Sequence, residues 1–254
     1  LSKKYDFKII EDASHAIGGK YEGEPVGNCK YSDITVFSFH PVKIITSGEG
    51  GMALTNDMVL AERLKRFRSH GVTSTPSDME HRPSSELWNY QQIDLGFNYR
   101  MTDIHAALGY SQLERLDEFI ARRHTIADIY FEQLCIEGIT LPFQHSSTHS
   151  SFHLFILNLT NSAGPLSRNK AFNRLRESGV NVNLHYIPIY RHPYYSAMEF
   201  DASNFPEAEK YYKAAISIPM YPSMTEGEQA FVIDVIKSDS AKVFQVPQGY
   251  QDIF

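Results

Sequence analysis

The run Phe7-Lys8-Ile9-Ile10-Glu11, closed by Asp12, constrains this chain more than any other feature. A short apolar run ending on a carboxylate reads as a buried parallel strand. A second β-rich run, Ile34-Thr35-Val36-Phe37-Ser38-Phe39, leads through His40-Pro41-Val42 to Lys43, and Gly48-Glu49-Gly50-Gly51 then opens another short strand, Met52-Ala53-Leu54-Thr55. Lys43 therefore falls on a strand-to-loop junction rather than on a solvated helix face. Ligands of open α/β sheets collect at strand carboxyl ends, which is where Asp12 and Lys43 are both expected.

One lysine with a distant strand-terminal carboxylate is what pyridoxal phosphate chemistry requires. The amine forms a Schiff base, and a buried carboxylate keeps the pyridine nitrogen protonated so that the ring acts as an electron sink. Neither residue is informative alone, because any α/β protein has strand-terminal aspartates and surface lysines. Together they carry more, with Asp12 at a strand end and Lys43 between a β-rich run and a glycine turn.

The remaining elements alternate as an α/β protein should. The sequence predicts a short helix from Ala13, a hairpin around Glu22-Gly23-Glu24-Pro25, and a helix capped by Asn56 or Asp57 that runs to about His70. Residues 71–95, polar and carrying the single tryptophan Trp88, read as a long loop of the kind that is usually functional. Ile104, Leu108, Leu116, Ile120, Ala127, Phe131 and Leu134 recur at helical spacing over 102–136 and predict one long helix between two domains. Beyond it we expect a strand at Phe152–Leu159, a helix at Ser167–Ser178 ended by Gly179, a strand at Val180–Tyr186, and a helix at Glu207–Ala215. A last helix, Thr225–Lys237, opens on a capping box of Thr225 and Glu228.

With 42% hydrophobic and 21% charged residues, 254 residues can bury a sizeable core. No stretch approaches the roughly 18 apolar residues of a membrane span, and no signal peptide opens the chain, so a cytoplasmic protein without membrane attachment is expected. A net charge of −6 with scattered lysines and arginines argues against nucleic-acid binding. The densest basic run, Lys65-Arg66-Phe67-Arg68, reads as a solvated helix end. Cys29 and Cys135 lie far apart without metal-like spacing, which fits a reducing compartment. His145, His149 and His153 are spaced by four, but the Ser-rich gaps make a poor helix, so a metal site is not expected. The sequon Asn158-Leu159-Thr160 lies in a strand-like run and carries no weight.

Four segments in order, Glu11-Asp12-Ala13-Ser14-His15-Ala16, Ser38-Phe39-His40-Pro41-Val42-Lys43, Gly48-Glu49-Gly50-Gly51 and Gly96-Phe97-Asn98-Tyr99-Arg100-Met101, resemble the DegT/DnrJ/EryC1/StrS group of sugar-nucleotide aminotransferases. That resemblance implies an α/β, aspartate aminotransferase-like fold type I, with residues 1–120 as the C-terminal part of a large cofactor-binding domain and 121–254 as a small α/β domain. It implies that Lys43 forms the Schiff base and moves the proton, that Asp12 pairs with the pyridine nitrogen, that His15 stands beside the ring, and that Ser38 reaches the phosphate. Asn98 would cross to the phosphate of a second subunit, giving a homodimer with composite sites. For His15, an ordinary hydrogen-bonded histidine at a helix start remains an equal alternative, and for Asn98 an ordinary turn asparagine. The group's Gly-Thr phosphate loop and ring-stacking aromatic are not found in the 254 residues, so we expect the C-terminal portion of a longer protein, lacking roughly its first third.

Residues 183–193, with His185, Tyr186, Arg191 and His192, are similar to members that aminate C4 of UDP-4-keto-6-deoxy-N-acetylhexosamines, as in pseudaminic acid synthesis, with glutamate as the implied donor. These side chains suit a diphosphate, a uracil or a sugar, while a packed aromatic corner explains them equally well. A non-catalytic relative serving as an interaction module is the alternative function. The group's 3-dehydratases place histidine where this chain has Lys43, so transamination is favoured.

Overall fold

The computed structural model describes residues 1–81, 85–159, 168–198 and 200–243, the last five of these by backbone alone. In chain order the elements are α1 (Ser2–Tyr5), β1 (Ile10–Asp12), β2 (Lys20–Tyr21), β3 (Glu24–Pro25), β4 (Ile34–Ser38), β5 (Gly51–Leu54), α2 (Met58–Phe67), β6 (Val72–Thr73), β7 (Gln91–Gln92), α3 (Asp103–Leu113) and α4 (Leu116–Gln133). They continue as β8 (Ile139–Thr140), β9 (Thr148–His149), β10 (Phe155–Leu159), α5 (Arg168–Glu177), α6 (Pro193–Ser196), α7 (Pro206–Ala214), β11 (Ala215–Ile218) and α8 (Glu226–Val243). The chain divides into two compact units, Leu1–Glu118 with Ser146–Ser151, and Phe119–His145 with Phe152–Phe254.

In the first unit, β4 is the centre of a three-stranded sheet with β1 parallel on one side and β5 antiparallel on the other. β4 alternates toward the interior, where Thr35 and Phe37 are buried together with Phe39, Ile44 and Ile45. β1 is shorter than the apolar run predicts, because Asp33 captures the Ile9 amide through its side chain at 2.8 Å. The expected burial of this strand is corrected as well: Phe7 is 47% and Ile10 68% exposed. Among the described residues β1 has a ladder partner on one side only, which leaves it at the sheet edge.

The helix expected from Ala13 is not formed. Two reverse turns replace it, with Ala16 N–H donating to Ala13 O and Gly19 N–H to Ala16 O, both at 2.9 Å. The Gly18-Gly19 pair disfavours continued helix. The predicted hairpin is present as β2 and β3, with positive φ at both Glu22 (51°) and Gly23 (81°), the twist-matched turn for two antiparallel strands. Asp57 is the cap of α2, its carboxylate accepting from the amides of Val59 and Leu60. The segment 71–95 is not wholly irregular: β6 pairs with β7, and Pro76–Asp78 makes a single 3₁₀ turn.

Thr102 caps α3 through a bond from His105 N–H. The single helix expected over 102–136 is two, because Arg115 N–H reaches back only to Gln112 O, a tightened bond that closes α3 before α4 begins.

The second unit is built on the antiparallel sheet β8-β10-β11. Phe155, Leu157 and Leu159 of β10 point alternately into a core made with Ile126, Tyr130 and Leu134 of α4, Ile216 and Ile218 of β11, and Val232, Ile233 and Ile236 of α8. Each such side chain contributes about 1.5–3 kcal/mol by leaving water. Arg123 of α4, only 4% exposed, donates from Nη1 to the carbonyls of Phe152 (2.9 Å), His153 (3.2 Å) and Met220 (3.2 Å). Burial lowers this guanidinium to about 10.

The predicted strand at Val180–Tyr186 is reduced to one bridge, Asn183 with Ser217. The Asn183 side chain takes the Leu184 amide at 2.8 Å, which removes that donor from any further ladder. Val180 and Val182 nevertheless alternate into the core. Gly179, at φ 87°, ends α5, and Thr225 and Glu228 exchange the bonds of a capping box at the start of α8. Thr160 of the sequon and Ser167, the expected helix start, lie outside the described residues. Among the described residues, no helix is long and apolar enough to cross a membrane, and no three His, Cys, Asp or Glu residues are grouped to hold a metal ion.

Candidate active site

Asp12 closes β1 and Ser38 closes β4, and the two strands are parallel neighbours in register, with Asp12 opposite Val36. Their carboxyl ends therefore open on the same edge of the sheet. From Ser38 the chain is held tightly: Phe39 N–H donates to Gly50 O at 2.8 Å, Lys43 N–H to His40 O at 2.9 Å, and Ser47 N–H to Phe39 O at 3.0 Å. Ile44 and Ile45 are buried immediately after Lys43, so its backbone is anchored while its amine remains at a half-buried surface. Gly50 adopts φ 151°, and a Cβ there would come within 2.5 Å of Met101 Cε, so this loop demands glycine.

The electrostatics couple the two ends. Burial pushes the Lys43 amine below its ordinary value, while the negative charge of Asp12 pulls it partly back. Asp12 is held below the usual carboxylate range, first by the Ser14 hydroxyl, then by the Ser14 amide, with smaller help from His15 and Lys43. Asp12, expected to be buried, is exposed within these 254 residues. Hydrogen bonds, not desolvation, fix its charge.

The other residues proposed for this site sit in the same unit. His15 is half-buried, and its carbonyl accepts from Ser151 Oγ at 3.4 Å. Ser38 Oγ accepts from His40 N–H at 3.4 Å. Asn98 is exposed and forms an isolated bridge with Ser69.

In the second unit, His185 Nδ1 lies 2.7 Å from Ser217 Oγ, and the His185 carbonyl accepts from Tyr211 Oη at 3.0 Å. Tyr186 is exposed, its ring edge-on to His185 at 4.8 Å. His192, also exposed, immediately precedes α6. Arg191 is engaged by a residue the sequence did not single out. Its Nε donates to Glu209 Oε1 at 2.7 Å, a second nitrogen bonds Oε2, and the guanidinium lies over the Tyr212 ring at 4.9 Å. Tyr190 Oη completes the carboxylate's shell at 3.0 Å and stacks on Phe205. Two of the three guanidinium nitrogens are thus engaged by a carboxylate. Glu209 also lines a cavity of about 960 Å³ with Thr140, Asn158, Ser203, Lys210 and Tyr211, in which Asn158 Oδ1 is buried without a partner among the described residues.

These bonds hold Glu209 down to about 2, against an ordinary 4.5. A carboxylate depressed in the folded state adds stability that is fully present above its unfolded pKa and is lost as pH falls toward the folded one. Urea midpoints measured from pH 6 to pH 3 should therefore fall for the wild type by more than for Glu209→Gln, with the difference opening below about pH 4.5. Parallel curves would show that the cluster adds nothing to folding.

The chain belongs to the DegT/DnrJ/EryC1/StrS aminotransferase family, whose model matches residues 1–237. Aminotransferases of this family use pyridoxal phosphate. The chain is 34% identical over 244 residues to the UDP-4-amino-4,6-dideoxy-N-acetyl-beta-L-altrosamine transaminase of Campylobacter jejuni subsp. jejuni serotype O:23/36, covering 96% of this chain and 61% of that protein. Among solved structures it resembles Helicobacter pylori PseC, an aminotransferase involved in pseudoaminic acid biosynthesis, with a TM-score of 0.85, 28% identity, and coverage of 95% of this chain and 62% of that one. The PLP form of Spr1654 from Streptococcus pneumoniae gives a TM-score of 0.83 at 29% identity, covering 95% of this chain and 60% of that one. The chain thus spans about three fifths of the length of the relatives it matches.

Proposed function

We propose that the protein is a pyridoxal phosphate-dependent aminotransferase that moves an amino group from glutamate to C4 of a UDP-4-keto-6-deoxy-N-acetylhexosamine for bacterial surface sugar synthesis. One observation carries the reading: the paired carboxyl ends of β1 and β4 present an ionised carboxylate, Asp12, and a partly desolvated amine, Lys43, close enough to shift each other's proton affinity. The donor set fits the group. An anionic carboxylate suits a pyridinium, an amine held below its ordinary pKa suits an aldehyde, and the Ser38 hydroxyl at the strand end suits a phosphate.

When bound, the cofactor supplies an electron sink for the carbon that loses its proton. Asp12 keeps a proton on the ring nitrogen, and Lys43 Nζ, whose burial favours the neutral amine, accepts and returns the substrate proton. His15 and Ser38 serve the ring and the phosphate, with Asn98 acting across a two-fold dimer. The names of the pseudaminic acid-related relatives support the sugar, and His185 and Tyr186 are its proposed contacts in the second unit.

The full-length protein supplied with pyridoxal phosphate, glutamate and the UDP-4-keto sugar should release the 4-amino sugar. In His185→Ala, the KM for the sugar is expected to rise about tenfold or more while the glutamate half-reaction is kept, because the residue serves one substrate and not the ring chemistry. An equal fall in both half-reactions would make His185 structural and remove it from the sugar site.

A further inference from the structure

Ser14 follows Asp12 by two residues and directs both of its donors at one oxygen. Its hydroxyl reaches Asp12 Oδ1 at 2.5 Å and its amide reaches the same atom at 3.0 Å. Oδ2 takes no hydrogen bond from any described residue. The two Ser14 bonds hold the carboxylate in one rotamer.

We propose that Ser14 is a positioning residue that clamps Asp12 through Oδ1 and thereby reserves Oδ2 for the ring N–H of a bound pyridinium. This rests on the pyridoxal phosphate reading of the site. A carboxylate with two equivalent oxygens and free rotation about its χ torsions spends part of its time turned away from a ligand at the sheet edge. Capturing one oxygen with two donors removes that freedom before the ligand arrives, the general advantage of a preorganised group. The same bonds explain why Asp12 stays ionised, since both stabilise its charged form. The other titratable groups acting on the carboxylate are His15 and Lys43.

The test compares cofactor affinity in the full-length protein, using pyridoxal phosphate and an analogue whose ring nitrogen is replaced by CH. In the wild type, pyridoxal phosphate should bind more tightly than the analogue. Ser14→Ala removes the hydroxyl and keeps the amide, so the ratio of the two dissociation constants should shrink by about three- to tenfold, the range of one such hydrogen bond. Ser14→Thr, which keeps a hydroxyl, should restore it, and Ser14→Gly should repeat the loss. Analogue affinity should be the same in all four proteins. If Ser14→Ala weakens both ligands equally, or leaves the ratio unchanged, Ser14 merely shapes the turn and the inference falls. A wild type that binds pyridoxal phosphate and its analogue equally would overturn the role of Asp12 as well, and one that binds neither would end the cofactor reading itself.

Discussion

Lys43→Arg in the full-length protein is expected to abolish the absorbance band of covalently attached cofactor and to lower transamination by at least about three orders of magnitude. The argument is one of protonation. A lysine amine can shed its proton to attack an aldehyde, and the partial burial of Lys43 already moves it in that direction. A guanidinium stays charged at any working pH, so it can neither attack nor carry a proton away from carbon. The fold should not notice. The turn that presents Lys43 is closed by backbone bonds, His40 O to Lys43 N–H and Phe39 O to Ser47 N–H, and by the burial of Ile44 and Ile45, none of which involves the amine. The melting temperature is therefore expected to stay close to the wild type, as for surface substitutions. An unfolded variant would make the result uninformative about chemistry, so Lys43→Gln, neutral and of similar length, should be measured beside it. Turnover retained in either folded variant would remove Lys43 from the reaction.

What was legible in the sequence were features decided by neighbours along the chain. The caps at Asp57 and Thr102, the capping box at Thr225 and the turn at Gly179 are local hydrogen-bond chemistry, and each appears where its residues predict. The alternation in Ile34–Ser38 and Phe155–Leu159 is a pleat against a core, and periodicity reports that directly. The failures share a different cause. The short length of β1 depends on the Asp33 carboxylate taking the Ile9 amide from a distance in sequence, and the loss of the 180–186 strand depends on an Asn183 side chain that competes with the ladder. The break between α3 and α4 leaves the apolar period undisturbed, because one tightened turn does not alter which residues repeat. In the site, the place of Asp12 at a strand end and of Lys43 on a strand-to-loop junction was legible from the apolar runs that precede them, while the exposure of Asp12 was not. The Arg191–Glu209 pair joins residues from separate elements with no motif between them.

Asp12→Asn should keep cofactor binding measurable and reduce kcat by about 100- to 1000-fold, the cost of removing one preorganised electrostatic contact from a transition state. The substitution is unusually clean here because the amide oxygen can still accept both Ser14 bonds that Oδ1 accepts in the wild type. The turn that follows β1 then survives, and what disappears is the charge. A neutral amide would not hold a proton on the ring nitrogen of a bound cofactor, and that proton is what would make the ring an electron sink. The loss should fall on kcat for the glutamate half-reaction and the sugar half-reaction alike, since both pass electrons into the same ring. That distinguishes it from His185→Ala, whose effect is confined to the sugar. The pH profile supplies a second reading. The Ser14 bonds hold Asp12 below the ordinary carboxylate range, so the wild type should show no acid limb from this residue where an ordinary carboxylate titrates. A variant with an unchanged kcat would mean that another carboxylate faces the ring, and it would take the Ser14 clamp down with it.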